Sequence, residues 1–273
     1  MFASLVVVLP TVHEGGSLII RHNEKEWTFD SAKAVNTEST PHAAFVAFFS
    51  DVEHEVTPVI SGYRVTLTYN LYFKKSDKAD SSSTVSTFGQ TDAELGDALG
   101  LLLKNPAFLP DGGVLGFGLA HKYPFNQAST DLSTIGGSLK GTDAAIKRAC
   151  DTLSLPVAVK AVYRERWDDS FVLLDHFADF GTDQIESRLT AYLKKSDAGQ
   201  VIYNFGENPP QTDSWYHPEE DKTAIPMVWV KPLAKANTFI STYMHYGNEA
   251  SIAYAYGEIC LVATVPPAKE RNN

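Results

Sequence analysis

Six short β-favouring runs fill the first 73 residues almost without interruption, and no other feature constrains the fold as strongly. They read FASLVVVLP, GSLIIRH, EWTFD, AAFVAFFSD, HEVTPV and YRVTLTYNLYF, with HEGG, HNEK, STP and ISG between them. Val, Ile, Thr, Tyr and Phe fit a pleated, half-buried surface, and the Gly, Asn, Pro and Ser clusters supply the turns. Short strands at this spacing predict a sandwich or a barrel over residues 1–75.

The next stretch, SDKADSSSTVSTFGQ over 76–90, has too little apolar surface to offset its ordering entropy and reads as a Ser-rich linker. TDAELGDALGLLLKNPAFL follows, with Leu95, Leu99 and Leu102 or Leu103 at helical spacing, and TDAAIKRACDTL over 142–153 repeats the pattern after a Thr or Asp cap. VLGFGLAH, PVAVKAVYRE, SFVLLDHFADF and QVIYNF are strand-like, and the polar loop NPPQTDSWYHPEEDKTA covers 208–224. MVWVKPL and the long alternating ASIAYAYGEICLVATVPP close the chain before a charged tail that is expected to fray. Residues 91–273 therefore read as a mixed α/β accessory region.

The charge balance removes whole classes of partner. With 23 Lys plus Arg against 33 Asp plus Glu, the net charge of -10 gives no positive field to gather a phosphate backbone, so nucleic acid is not expected. Two cysteines allow one disulfide at most and lack metal-site spacing, which suggests a reducing, intracellular compartment, cytoplasmic or nuclear. MFASLVVVLP has no basic start and a short apolar run, so it reads as core rather than as a secretory signal. No apolar run approaches the roughly 20 residues that a bilayer-crossing helix needs, and no membrane association is expected.

The chemistry concentrates in SDVEHEVTPVISGYRVTLTYNLYF, residues 50–73. Arg64, Thr66 and Thr68 share one strand face by alternation, so a guanidinium and two hydroxyls project together. A Gly-Gly pair leading a strand (HEGGSLIIRH), a charged turn, a strand ending FFSDVEHEV and then SGYRVTLTYNL follow one another in an order that resembles the iron(II) and 2-oxoglutarate-dependent dioxygenases. The similarity is to their prolyl-4-hydroxylase-like branch found in fungi. It covers residues 1–73, and GVLGFGLAHKYPF and YGNEASIAYAYGEICL look like parts of the same subfamily. The resemblance implies a mostly β fold: a partial double-stranded β-helix, or jelly roll, followed by the mixed α/β half. It places His54 on the distal iron-binding histidine, Arg64 on the arginine that grips the far carboxylate of 2-oxoglutarate, and Thr66 on a helper hydroxyl. The cofactors implied are iron(II), 2-oxoglutarate as co-substrate, and ascorbate. The activity implied is hydroxylation of a C–H bond, with a protein or peptide, such as a peptidyl proline, as substrate.

Physical chemistry is compatible with that assignment. Ferrous iron that binds both an α-keto acid and dioxygen suits two imidazoles and a carboxylate with three open positions. The far carboxylate of 2-oxoglutarate is a buried charge that costs several kcal/mol unless a cation meets it, and arginine offers the planar fork for the purpose. Pro58 and the ISG break argue against a continuous hairpin, which lets Arg64 and His54 face one cavity.

In relatives a His-x-Asp motif supplies two further iron ligands upstream of the segment that MFASLVVVLPT resembles, and no His-x-Asp pair occurs in residues 1–75. The expectation is a poor iron site and an inactive or incomplete dioxygenase. Either Met1 is an internal methionine of a longer protein, or the chain is a paralogue that keeps the scaffold. The alternative function is a non-catalytic jelly-roll binding or scaffold module. Other candidates have plainer readings: His22 closes a turn, His13 shapes one, Gly15 and Gly16 permit a bulge, and His121 with Tyr123 is structural. The acidic HPEEDK segment reads as solvated surface.

Overall fold

The computed structural model describes residues 2–22, 25–36, 40–72, 89–128, 130–164, 171–181, 184–185, 188–210, 220–246 and 249–271. The chain divides into two compact units, Met1–Thr84 and Val85–Asn273, and the boundary falls inside the Ser-rich stretch, most of which lies outside the described residues. The described residues are mostly β, with 43% strand against 21% helix.

In the first unit β1 (Ala3–Val8) lies between β5 (Ala44–Phe49) and β8 (Thr66–Leu71), antiparallel to both. β2 (His13–Gly15) pairs with β7 (Val59–Gly62), and β3 (Leu18–His22) lies between β4 (Lys25–Phe29) and β6 (Glu53–Val56). These three small antiparallel sheets do not by themselves make a jelly roll. HEVTPV, expected as one strand, is two: β6 pairs with β3 and β7 with β2. Pro58 stands between them, where it has no N–H to give a ladder, and its carbonyl accepts from the Gly16 N–H at 3.0 Å. ISG, expected as a break, belongs to β7. A register shift between Glu14 and Gly15 marks the bulge that the glycine pair suggested. A short helix, α1 (Ser31–Asn36), was not anticipated; Asp30 Oδ1 accepts from the Lys33 N–H at 3.0 Å and caps it.

The second unit is built on a closed ring of six strands. β10 (Val157–Arg164), β11 (Phe171–Leu174), β13 (Gln200–Asn204), β14 (Ile225–Lys231), β9 (Gly113–Gly118) and β16 (Ala250–Val265) pair in that order, and β16 returns to β10. β15 (Thr238–Tyr246) continues the sheet beyond β16, and β12 (Gln184–Ile185) pairs with β15. All six ring strands contribute to one buried cluster: Val114, Val162, Leu173, Ile202, Met227, Cys260 and Val262. Gly116 makes this filling possible, because a Cβ there would lie 2.1 Å from Met227 Cε and 2.6 Å from Trp229 Cε3. A second, larger core joins the ring to the helices: Leu99 of α2 (Gly89–Leu103), Leu132 of α3 (Leu132–Gly136), Ile146 and Cys150 of α4 (Gly141–Thr152) and Leu193 of α5 (Leu189–Ser196) all belong to it.

Several expectations change here. Leu95, Leu99 and Leu103 form the inward face of α2, while Leu102 is 36% exposed. The helix over 142–153 starts at Gly141 without a Thr or Asp side-chain cap. Asp143 instead accepts from the Ala120 N–H at 2.8 Å, the His121 N–H at 3.0 Å and the Tyr123 hydroxyl at 3.0 Å. SFVLLDHFADF is strand only over Phe171–Leu174, and α3, α5 and β15 were not foreseen. The tail is anchored: Arg271 donates to the carbonyls of Pro266, Phe108 and Leu109. Among the described residues no helix is long and apolar enough to cross a membrane.

Candidate functional site

His54 lies on β6, opposite Ile20 of β3, with its side chain exposed. Its Nδ1 is 3.2 Å from the Val52 carbonyl, and its ring rests 4.8 Å from that of Phe48. The neighbouring carboxylates serve another group: Arg21 meets Glu26 at 2.7 Å, Glu55 at 3.1 Å and Glu53 at 3.7 Å. These contacts hold β3, β4 and β6 together on their outer face and push the guanidinium pKa up, chiefly through Glu55 and then Glu26. Among the described residues no three His, Cys, Asp or Glu side chains form a group that could hold a metal ion. One exposed imidazole does not make an iron site, so these residues do not fit the metal that the resemblance implies.

Arg64 is placed differently. It sits in the short connection between β7 and β8, partly buried, and its Nε donates to Ser31 Oγ at 3.2 Å. Its stem packs over Gly16, where a Cβ would lie 2.6 Å from Arg64 Cδ. Gly16 has φ +68, a conformation that side chains other than glycine's enter at a cost, so backbone and space both call for glycine. Burial lowers the Arg64 pKa, with no carboxylate acting to raise it. Its two terminal nitrogens meet no carboxylate among the described residues.

Ser31, the first residue of α1, is fully buried and joins three neighbours. Its hydroxyl is 3.0 Å from His13 Nε2 and 3.2 Å from the Gly16 carbonyl, besides receiving Arg64 Nε. His13, expected only to shape the turn, is therefore a buried polar residue tied to Ser31. Thr66 opens β8 opposite Val8, two positions from Arg64, and its hydroxyl makes no hydrogen bond among the described residues. Thr68, on the same strand face, is exposed.

The structure thus gathers Arg64, Ser31, His13 and Gly16, while Arg64 and His54 share no contact among those described. Sequence reading missed Ser31 and the role of His13. The available signal was local and ambiguous: Asp30-Ser31 after a strand is a helix start, and a serine at a helix start is read as a cap rather than as a hub.

The remaining sequence candidates are structural. His22 stands at the β3–β4 turn opposite Lys25. His121 and Tyr123 belong to a buried polar set in which Asp143 holds their segment and the Asn237 side chain accepts from the Tyr123 N–H and donates to the His121 carbonyl. Of HPEEDK, residues 217–219 lie outside the described residues, and Asp221, expected on a solvated surface, is instead buried and receives Lys194 Nζ at 2.6 Å. A cavity of about 860 Å³ opens in the second unit beside Lys160, Gln200, Tyr203 and Glu207, and none of His54, Arg64 and Thr66 lines it. No protein-family model matches the chain, and searches of curated proteins and of solved structures return no match.

Proposed function

We propose that residues 1–75 are the C-terminal part of the jelly-roll core of an iron(II) and 2-oxoglutarate-dependent dioxygenase of the prolyl-4-hydroxylase-like branch. In this chain the unit serves as the part that holds the co-substrate's far carboxylate. Arg64 provides the fork and Thr66 the helper hydroxyl. His54 is the imidazole that the resemblance assigns to iron, and because the described residues complete no metal shell, the chain as described does not carry out the oxidation by itself. The family's substrate class is a C–H bond of a protein or peptide.

The observation that supports this reading is the state of Arg64: a partly buried guanidinium, held at Nε by a serine, with no carboxylate partner among the described residues. Desolvating an arginine without an anion is costly, and a bidentate carboxylate is the ligand its geometry accommodates. Binding of 2-oxoglutarate and of glutarate, which lacks the keto group, is measured calorimetrically without metal. Both bind in the same range, and Arg64→Ala weakens each by roughly 10- to 100-fold, the equivalent of about 1.5–3 kcal/mol for a hydrogen-bonded charge pair. Unchanged affinity in Arg64→Ala sinks the assignment.

A second reading is favoured by the absence of a three-ligand group among the described residues: a non-catalytic binding or scaffold module. An anaerobic melt separates the two. Stabilisation by 2-oxoglutarate that vanishes in Arg64→Ala supports the dioxygenase reading, and no response to 2-oxoglutarate supports the scaffold.

A further inference from the structure

His13 Nδ1 lies 2.8 Å from the Thr11 carbonyl, and a carbonyl only accepts, so that nitrogen carries a proton. In the neutral ring Nε2 is then an acceptor, and the group before it is the Ser31 hydroxyl at 3.0 Å. Arg64 Nε only donates, so Ser31 Oγ receives Arg64 through a lone pair while its own proton goes to His13, or to the Gly16 carbonyl at 3.2 Å. Ser31 Oγ thus receives Arg64 Nε and is itself held between His13 Nε2 and the Gly16 carbonyl.

Neither His13 at 5% exposure nor Ser31 at 0% is wet. A turn alone does not call for such a chain. Pro58 and Thr57 already satisfy the backbone there: the Pro58 carbonyl takes the Gly16 N–H at 3.0 Å, and the Thr57 hydroxyl takes the Ser17 N–H at 2.9 Å. What the chain does settle is the rotation of the guanidinium. Ser31 occupies the Nε edge and Gly16 lets the stem lie flat on the backbone, which leaves the pair of terminal nitrogens without a partner among the described residues.

We propose that His13 and Ser31 are positioning residues that fix Arg64 by its Nε, so that it presents its two terminal nitrogens end-on to a single carboxylate. This rests on the reading of Arg64 as the carboxylate-holding residue, and the experiment separates the two claims. A chain labelled with ¹⁵N gives the Arg64 Nε–H resonance, whose exchange with water is slow only while Ser31 accepts it. A glutarate titration gives affinity, and circular dichroism confirms folding of each variant. In the wild type the Nε–H exchanges slowly. Ser31→Ala and His13→Ala speed that exchange and weaken glutarate about tenfold, a shift of roughly 1.4 kcal/mol. His13→Gln restores both, because its side-chain amide reaches Ser31 as Nε2 did. A merely structural histidine gives a different pattern, with His13→Ala and His13→Gln equally impaired in melting and alike in Nε–H exchange.

Fast Nε–H exchange in the wild type overturns the proposal, as does a Ser31→Ala variant with unchanged exchange and affinity. If Ser31→Ala does not fold, the contrast between His13→Ala and His13→Gln decides. If glutarate binds to no form of the chain, the carboxylate reading fails, and the Nε–H signal alone upholds or overturns the positioning claim.

Discussion

Replacing Gly116 by alanine puts a methyl group where Met227 and Trp229 already fill the six-stranded ring. The added Cβ lies 2.1 Å from Met227 Cε and 2.6 Å from Trp229 Cε3, where carbon pairs rest at about 3.5–4.0 Å. The thioether end of Met227 is flexible, but the side chain is 1% exposed and has little space to retreat into; the indole of Trp229 is rigid. Overpacking of this kind costs about 1–3 kcal/mol. Gly116 does not have a positive φ, so alanine adds no backbone strain and recovers about 0.4–1 kcal/mol by restricting the unfolded chain. Gly116→Ala is expected to destabilise the second unit by up to about 2.6 kcal/mol.

The sign of the coupling tests the ring more sharply than the single value does. Met227→Ala alone leaves a cavity and costs about 2–5 kcal/mol. Combined with Gly116→Ala, the new methyl fills part of that cavity, so the double variant loses less than the sum, by a coupling of about 0.5–3 kcal/mol. Urea unfolding followed by far-UV circular dichroism gives each term. Additivity within about 0.5 kcal/mol, or a Gly116→Ala variant more stable than the parent, refutes the packing of Gly116 of β9 against Met227 and Trp229 of the neighbouring β14.

Two further outcomes follow from the titratable groups. Burial alone would raise the Asp221 pKa, yet Lys194 at 2.6 Å and the Thr223 hydroxyl and N–H bring it below the usual 3.8. The stability this group contributes is therefore fully present above 3.8 and is lost as pH falls through the lower folded value; Asp221→Asn flattens that part of the acid limb in melts taken from pH 5 downward, and an unchanged limb refutes the pairing. Burial raises the Cys150 thiol to about 11 and pushes Cys260 higher still, so an aromatic disulfide reagent at pH 8 titrates neither thiol in the folded chain and both after denaturation; prompt reaction of one in the native state contradicts its burial.

What was legible in the sequence is what is local. The β-favouring residues of ASLVVV, LIIRH and TLTYNL mark strands because that preference is local to each run, and β1, β3 and β8 stand where those runs stand. The break at Pro58 was also readable, since proline withholds an N–H whatever the sheet. Partner choice was not readable. HEVTPV splits between two sheets because β3 takes its first half and β2 its second, and neither pairing leaves a mark inside the segment itself. Closure of the ring depends likewise on Val157–Tyr163 meeting Gly257–Ala263, a match between distant segments that alternation does not encode. β15 was missed because Thr, Ser and His interrupt its apolar positions: only one face, with Phe239, packs inward, and Ile240 on the other is 53% exposed.

The same division separates Arg64 from its supports. Ten positions along one strand would place His54 and Arg64 on one face, but the path between them crosses Pro58 and changes sheets, so their spacing carries no shared geometry. Arg64 found its contact at residue 31 instead, through a helix that the pattern of strands gave no reason to expect. Charge makes that contact informative. In a chain with 33 acidic residues and 23 basic ones, an arginine readily acquires a carboxylate: Arg21 lies within 4 Å of three. Arg64 is partly desolvated, braced by a serine and a glycine, and has no carboxylate among the described residues. A cation kept so in an acid-rich chain is the observation on which the proposed carboxylate role of Arg64 rests.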